Sequence, residues 1–120
     1  MGKICKIDGI SMRREIDQDG TIRYYNENNE FHREDGPAIE FTNGYKEWYK
    51  NGKHHREDGP AVEYVNGTKI WYKNGKIHRE DGPALEYVDG HKLYYYNNIW
   101  YSDIKTNKDW IRFVKLMVFQ

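Results

Sequence analysis

Three histidines, His32, His55 and His78, recur at a spacing of 23 residues, and each is followed directly by an arginine and two acids. Imidazoles beside carboxylates are suited to two kinds of chemistry. Several of them converging would hold a metal ion, and a carboxyl pair with split pKa values would serve as general acid and base. Both require convergence. If each unit of 23 residues is a pair of strands, equivalent residues in successive units lie ~10 Å apart, whereas the ligands of one ion lie ~2 Å from it. His54 adjoins His55, but no further histidine or cysteine stands near them in sequence to complete a set. The pairs Glu34 and Asp35, Glu57 and Asp58, and Glu80 and Asp81 have one environment repeated three times, not the asymmetric cleft that separates two pKa values. The expected role of Arg33, Arg56 and Arg79 is to pair with these acids and tie one loop to the next. The expectation is therefore no catalytic residue, no metal and no cofactor. HRED also lacks the glycine-rich loop and the Asp-Phe-Gly that would make it a kinase catalytic loop.

The elements that carry these residues follow from the repeat. The heptapeptide HREDGPA occurs at 32–38, 55–61 and 78–84, followed by IEFTNGYKEWYKNGK, VEYVNGTKIWYKNGK and LEYVDGHKLYYYNNI. Pro37, Pro60 and Pro83, the three prolines of the chain, share one repeat position. Asn43-Gly44, Asn66-Gly67 and Asp89-Gly90 sit between runs of β-branched and aromatic residues, which predicts hairpins closed by two-residue type I′ turns. In that register Val62 faces Trp71 and Tyr64 faces Lys69, so Val62, Tyr64, Lys69 and Trp71 share a core face. Trp48, Trp71 and Tyr94 are the expected core rings. Asp-Gly-Pro reads as the connecting turn, with Gly36, Gly59 and Gly82 supplying an unusual backbone angle and proline starting the next strand. Asn51-Gly52 and Asn74-Gly75 mark a second bend, after which the pattern leaves strand and loop open.

The ends differ from the middle, as an open array requires. Residues 3–16 read as a hairpin around Asp8-Gly9, and DGTIRYYNENNEFH reads as a worn half-unit with Tyr24 and Tyr25 in place of Trp48 and Tyr49. At the far end, Thr106 and Asp109 fit a capping box. Trp110, Phe113, Val114 and Met117 then follow helical spacing, which predicts a helix over 107–118, either capping the last repeat or docking on another chain. The expected fold is mainly β: a single-sheet array of stacked antiparallel hairpins with a C-terminal capping helix. It forms one domain over 1–120, divided as 1–31, 32–54, 55–77, 78–100 and 101–120.

Bulk composition narrows the partners. Nineteen Lys and Arg balance nineteen Asp and Glu, so the chain has no electrostatic footprint for DNA or an anionic membrane. One cysteine, Cys5, fits a reducing, cytoplasmic setting, and no apolar run reaches signal-peptide or membrane-span length. Eleven tyrosines and four tryptophans make rings the main apolar resource. Tyr49, Tyr72 and Tyr95 should align on one face beside Glu40, Glu63 and Glu86, and ordered tyrosines on a rigid sheet suit a protein interface. Covering the sheet against a terminal segment or a symmetry mate is the structural alternative. Single-strand nucleic acid stacking fits less well, since the accompanying charges are not basic.

The phrase W-Y-x-N-G-K followed by H-R-E-D-G-P-A resembles the variant MORN repeat of YwqK-type bacterial antitoxins and of phage and giant-virus proteins. The likeness covers about residues 20–103, and Tyr101-Ser102-Asp103 matches the stretch that precedes a helical tail in such proteins. It departs at Asn97-Asn98 and at Tyr94. The resemblance implies a hairpin array for protein binding, with a toxin or host factor as partner, and it brings no catalytic residues. The competing expectations are a nucleotide-like ligand in a groove between loops, a hydrolase using the HRED acids, and a structural homo-oligomer.

Overall fold

A computed structural model describes residues 2–7 and 10–119, with side chains from residue 12 onward; the expected turn at Asp8-Gly9 lies outside the described residues. Among these residues the chain forms fifteen short strands and one helix. The N-terminal part supplies β1 (Gly2–Ile7), β2 (Ile10–Ile16) and β3 (Ile22–Tyr25). The first intact unit supplies β4 (Ile39–Glu40), β5 (Lys46–Glu47), β6 (Tyr49–Lys50) and β7 (Lys53–His54). The second repeats the plan as β8 (Val62–Glu63), β9 (Lys69–Ile70), β10 (Tyr72–Lys73) and β11 (Lys76–Ile77). The third gives β12 (Leu85–Glu86), β13 (Lys92–Leu93), β14 (Tyr95–Tyr96) and β15 (Ile99–Trp100), followed by α1 (Asn107–Val118). Stacked antiparallel hairpins closed by a helix are thus the architecture.

The array is laid out in two rows instead of one continuous sheet. Nine strands run β1-β2-β3-β4-β5-β8-β9-β12-β13, and β6-β7, β10-β11 and β14-β15 form two-stranded ladders beside them. The division falls at Trp48, Trp71 and Tyr94. Trp48 donates its N–H to Ala61 O of the next unit at 2.7 Å, while its carbonyl accepts from His55 N at 3.1 Å. Trp71 does the same with Ala84 and His78, at 2.7 and 3.1 Å. Each ring thus stands where the chain changes hydrogen-bond partner. Lys76-Ile77, left open by the pattern, is strand β11 paired with β10.

The hairpin register differs by one residue from the type I′ expectation. Val62 pairs with Ile70 and Glu63 with Lys69. Gly67 N donates to Tyr64 O at 3.0 Å and Tyr64 N to Thr68 O at 2.9 Å, closing a type I turn with Gly67 left-handed at φ +97°. The Asn66 side chain selects this loop, because its Oδ1 accepts from Thr68 N at 2.9 Å. Asn43 and Asp89 act alike at 3.0 Å each. The type I′ turn occurs at the second bend instead, where Asn51 and Gly52 have φ +49° and +80°. A shift of one residue moves a strand's side chains to the opposite face. Ile39, Glu47, Val62, Ile70, Leu85 and Leu93 therefore share one face, and Glu40, Lys46, Glu63, Lys69, Glu86 and Lys92 alternate in charge along the other. Tyr64 and Tyr87, expected in the core, are exposed, and Trp48 and Trp71 are only half-buried. Ala38, Ala61 and Ala84 are buried with Ile39, Val62 and Leu85, and of the expected core rings of the repeats Tyr94 is buried.

The helix occupies the predicted bounds. Thr106 is its N-cap and accepts from Asp109 N at 3.1 Å. Trp110 is fully buried among Tyr94, Tyr101 and Phe113, and its Nε1 donates to Arg79 O at 2.8 Å. Tyr94 Oη donates to Asn107 Oδ1 at 2.8 Å. The helix therefore caps the last repeat.

Candidate protein-binding face

The HREDGP loops are the scaffold of the site. Asn51 N, Asn74 N and Asn97 N donate to Nδ1 of His32, His55 and His78 at 2.9, 2.9 and 3.1 Å. With Nδ1 accepting, the ring proton sits on Nε2, which faces Glu34, Glu57 and Glu80 at 3.0, 2.7 and 2.9 Å. In all three cases the donated bond comes from the second bend of the same unit, so histidine ties each HREDGP loop to that bend. All three rings are buried.

The arginines instead fold back on their own loops. Nε of Arg33, Arg56 and Arg79 donates to Asp35, Asp58 and Asp81 at 2.9, 3.1 and 2.8 Å. Nη1 donates to the carbonyls of Pro37, Pro60 and Pro83 at 3.2, 3.1 and 3.1 Å. Each guanidinium lies over a ring of the preceding unit: Tyr24 at 4.1 Å, Trp48 at 3.9 Å and Trp71 at 4.0 Å. A Cβ on Gly36, Gly59 or Gly82 would sit 2.9 Å from that guanidinium carbon. These glycines make room for the arginine; none has positive φ, contrary to the backbone-angle role expected of them.

Glu40, Glu63 and Glu86 belong to this reverse face. They meet Arg33, Arg56 and Arg79 at 3.5, 2.9 and 2.9 Å. They do not lie beside the tyrosines, because the register shift turns them away, and Glu47 takes that place.

The tyrosine face is built by the small ladders. Tyr49 pairs with His54, Tyr72 with Ile77 and Tyr95 with Trp100. Rings follow one another from Tyr25 to Phe31 at 5.1 Å, Tyr49 at 5.2 Å, His54 at 4.2 Å and Tyr72 at 4.8 Å. Arg13 lies over Tyr25 at 4.3 Å. Tyr49, Tyr72 and Tyr95 hold equivalent positions in β6, β10 and β14, and the run of rings includes the first two. A second aromatic run joins Phe41 to Tyr45 at 5.2 Å and Tyr45 to Tyr64 at 5.0 Å. Beside it, Asn43, Tyr45, Tyr64, Val65 and Asn66 line a recess of about 450 Å³.

One polar cluster interrupts the rings. Glu47, its side chain 14% exposed, accepts from His54 Nε2 at 2.8 Å and Tyr49 Oη at 3.3 Å. The His54 hydrogen bond holds the Glu47 carboxyl below its usual range, against the desolvation that raises it. In the next units Ile70 and Leu93 replace Glu47, while Ile77 and Trp100 replace His54, so the face grows more apolar along the array. Sequence reading missed Glu47 and His54; their departure from the repeat consensus was the available signal.

Burial, then the Glu47 charge, pushes the Tyr49 hydroxyl up to about 12, and burial raises Tyr45 and Tyr72 as well. A phenol raised in the fold stabilises it below the unfolded value of about 10 and loses that contribution as pH climbs through the folded value. In an alkaline titration followed by phenolate absorbance, a subset of the tyrosines should lag, with Tyr49→Phe removing one lagging group. All tyrosines ionising together near pH ~10 while circular dichroism stays native would contradict this burial.

These features define a β-hairpin repeat protein closed by a capping helix, with histidine and arginine holding the units and an aromatic face left available. No family model, curated protein or solved structure matches the chain.

Proposed function

We propose that the chain is a non-catalytic protein-binding module of the cytoplasm, an antitoxin-type or viral inhibitor of a partner protein such as a toxin or host factor. The aligned ring face from Tyr25 to Tyr72, held on a rigid ladder, carries this reading. Aromatic rings with few rotatable bonds give large contact area at low entropic cost. The resemblance to the variant MORN repeat supports the same reading and names its partner class.

A nucleotide-like ligand is the second reading, favoured by grooves of about 570 and 540 Å³ between successive HREDGP loops. Arg56 and Arg79, which line the first of them, already bind an aspartate, a carbonyl, a glutamate and a ring each. A phosphate would have to displace those partners. The double variant Tyr49→Ser/Tyr72→Ser should abolish co-purification of a native partner while the circular dichroism spectrum is retained. A tight, stoichiometric heat with a nucleotide would instead favour the groove. A concentration-dependent mass in light scattering, lost in the double variant, would reassign the face to a homo-oligomer.

A further inference from the structure

The three junctions between successive small ladders repeat one pattern of backbone hydrogen bonds. Gly52 N, Gly75 N and Asn98 N donate to Phe31 O, His54 O and Ile77 O, at 2.9 Å each. In return, Arg33 N, Arg56 N and Arg79 N donate to Tyr49 O, Tyr72 O and Tyr95 O at 3.2, 3.3 and 3.3 Å. One unit further on, the same register falls on Trp100 O and Ser102 N. Neither has a backbone partner of this kind among the described residues. Phe31, His54 and Ile77 are half-buried by the following unit, whereas Trp100 is 53% exposed.

The composition of this edge departs from the repeat. Positions 30, 53 and 76 are Glu, Lys and Lys, and the corresponding residue on β15 is Ile99, 56% exposed. A sheet edge that must remain unpaired is ordinarily blunted with charge, lysine above all. The last strand of the nine-stranded row follows that rule with exposed Lys92. β15 reverses it by placing Ile and Trp on an open edge. Within the array, a Cβ added at Gly75 would meet the side chain of Lys53 at 3.6 Å; Ile99 offers an incoming glycine an apolar seat in the same place.

We propose that the edge of β15 is a docking site for a β-hairpin of a partner protein, one with an aromatic residue three positions before a left-handed glycine or asparagine. The partner's turn N–H would bond to Trp100 O, its aromatic residue's carbonyl would accept from Ser102 N, and its ring would lie against Trp100, as Tyr72 lies against His54 at 4.8 Å. This is strand addition with the array's own junction as template. The occupant is another protein because the chain's own hairpins at 49–52, 72–75 and 95–98 already donate within the array. The proposal rests on the protein-binding reading and adds an end surface to its face.

The test uses the full chain and a synthetic, disulfide-closed hairpin carrying the sequence of residues 71–77, WYKNGKI. Saturable amide shifts at Ile99 to Ser102 are expected. Ile99→Lys, which restores the residue of two earlier units and so should fold, is expected to weaken binding by about tenfold, as is Trp100→Ala. The same peptide with proline in place of glycine lacks the donor and should not bind. Tyr49→Ser/Tyr72→Ser should leave hairpin binding unchanged, which separates this site from the aromatic face. Absence of saturable shifts, shifts elsewhere, or undiminished binding by Ile99→Lys would overturn the proposal. Dimerisation abolished by Ile99→Lys would overturn it too, assigning the edge to a second copy of the chain.

Discussion

Replacing Trp110 with alanine should lower stability by about 3–5 kcal/mol in urea unfolding, the range for truncating a large buried ring. The side chain is fully buried among Tyr94, Tyr101 and Phe113, and its Nε1 bond to Arg79 O at 2.8 Å is the helix's tie to the third HREDGP loop. A domain of this kind has about 5–15 kcal/mol in total, so the variant should lose α1 as a cap and expose Tyr94. Trp110→Phe keeps much of the volume but leaves the Arg79 carbonyl without its donor, and should cost about 1–2 kcal/mol. A loss below about 1 kcal/mol for Trp110→Ala would mean that the helix contributes little as a cap.

Arg56→Ala should cost about 2–4 kcal/mol, because one guanidinium stacks on Trp48, bonds Asp58 and the Pro60 carbonyl, and neutralises Glu63. Its side chain is 23% exposed, so solvent only partly screens these contacts. Arg56→Lys should recover little of the loss, since an ammonium can neither lie flat on indole nor span several acceptors as a planar fork does. Thermal melts of both variants check this. A lysine variant as stable as the parent would reduce the arginine's role to charge alone.

How the array could be read from its residues, and where that reading stopped, follows from what the period carries. The hairpin strands and the helix with its Thr106 cap depend on local spacing, and the structure places them accordingly. The turn at Asn66-Gly67 did not follow the dipeptide, since Asn-Gly serves both a type I′ turn and a type I turn with a bulge. The Asn66 bond to Thr68 N selects the second. That single residue of register then misplaced Glu40, Glu63 and Glu86 beside the tyrosines. The two-row layout was likewise hidden, because it depends on Trp48 giving its N–H to Ala61 and its carbonyl to His55, a choice that alternation cannot express. In HREDGP the residue types indicated that arginine pairs with an acid of the motif, as it does with the aspartate, but not that the glutamate faces histidine. Gly59 accommodates the Arg56 guanidinium 2.9 Å from where a Cβ would be, a reason for glycine that appears only once the arginine is seen to fold back.

The repeated histidines tie each HREDGP loop to the second bend of its own unit and thereby leave the aromatic face available for recognition. Long-range proton–nitrogen correlation spectra of the imidazoles at neutral pH test it most directly. His32, His55 and His78 should each carry the ring proton on Nε2, with a hydrogen-bond coupling from the Asn51, Asn74 and Asn97 amides into Nδ1. Rings protonated on Nδ1, or exchanging freely between tautomers, would contradict the account.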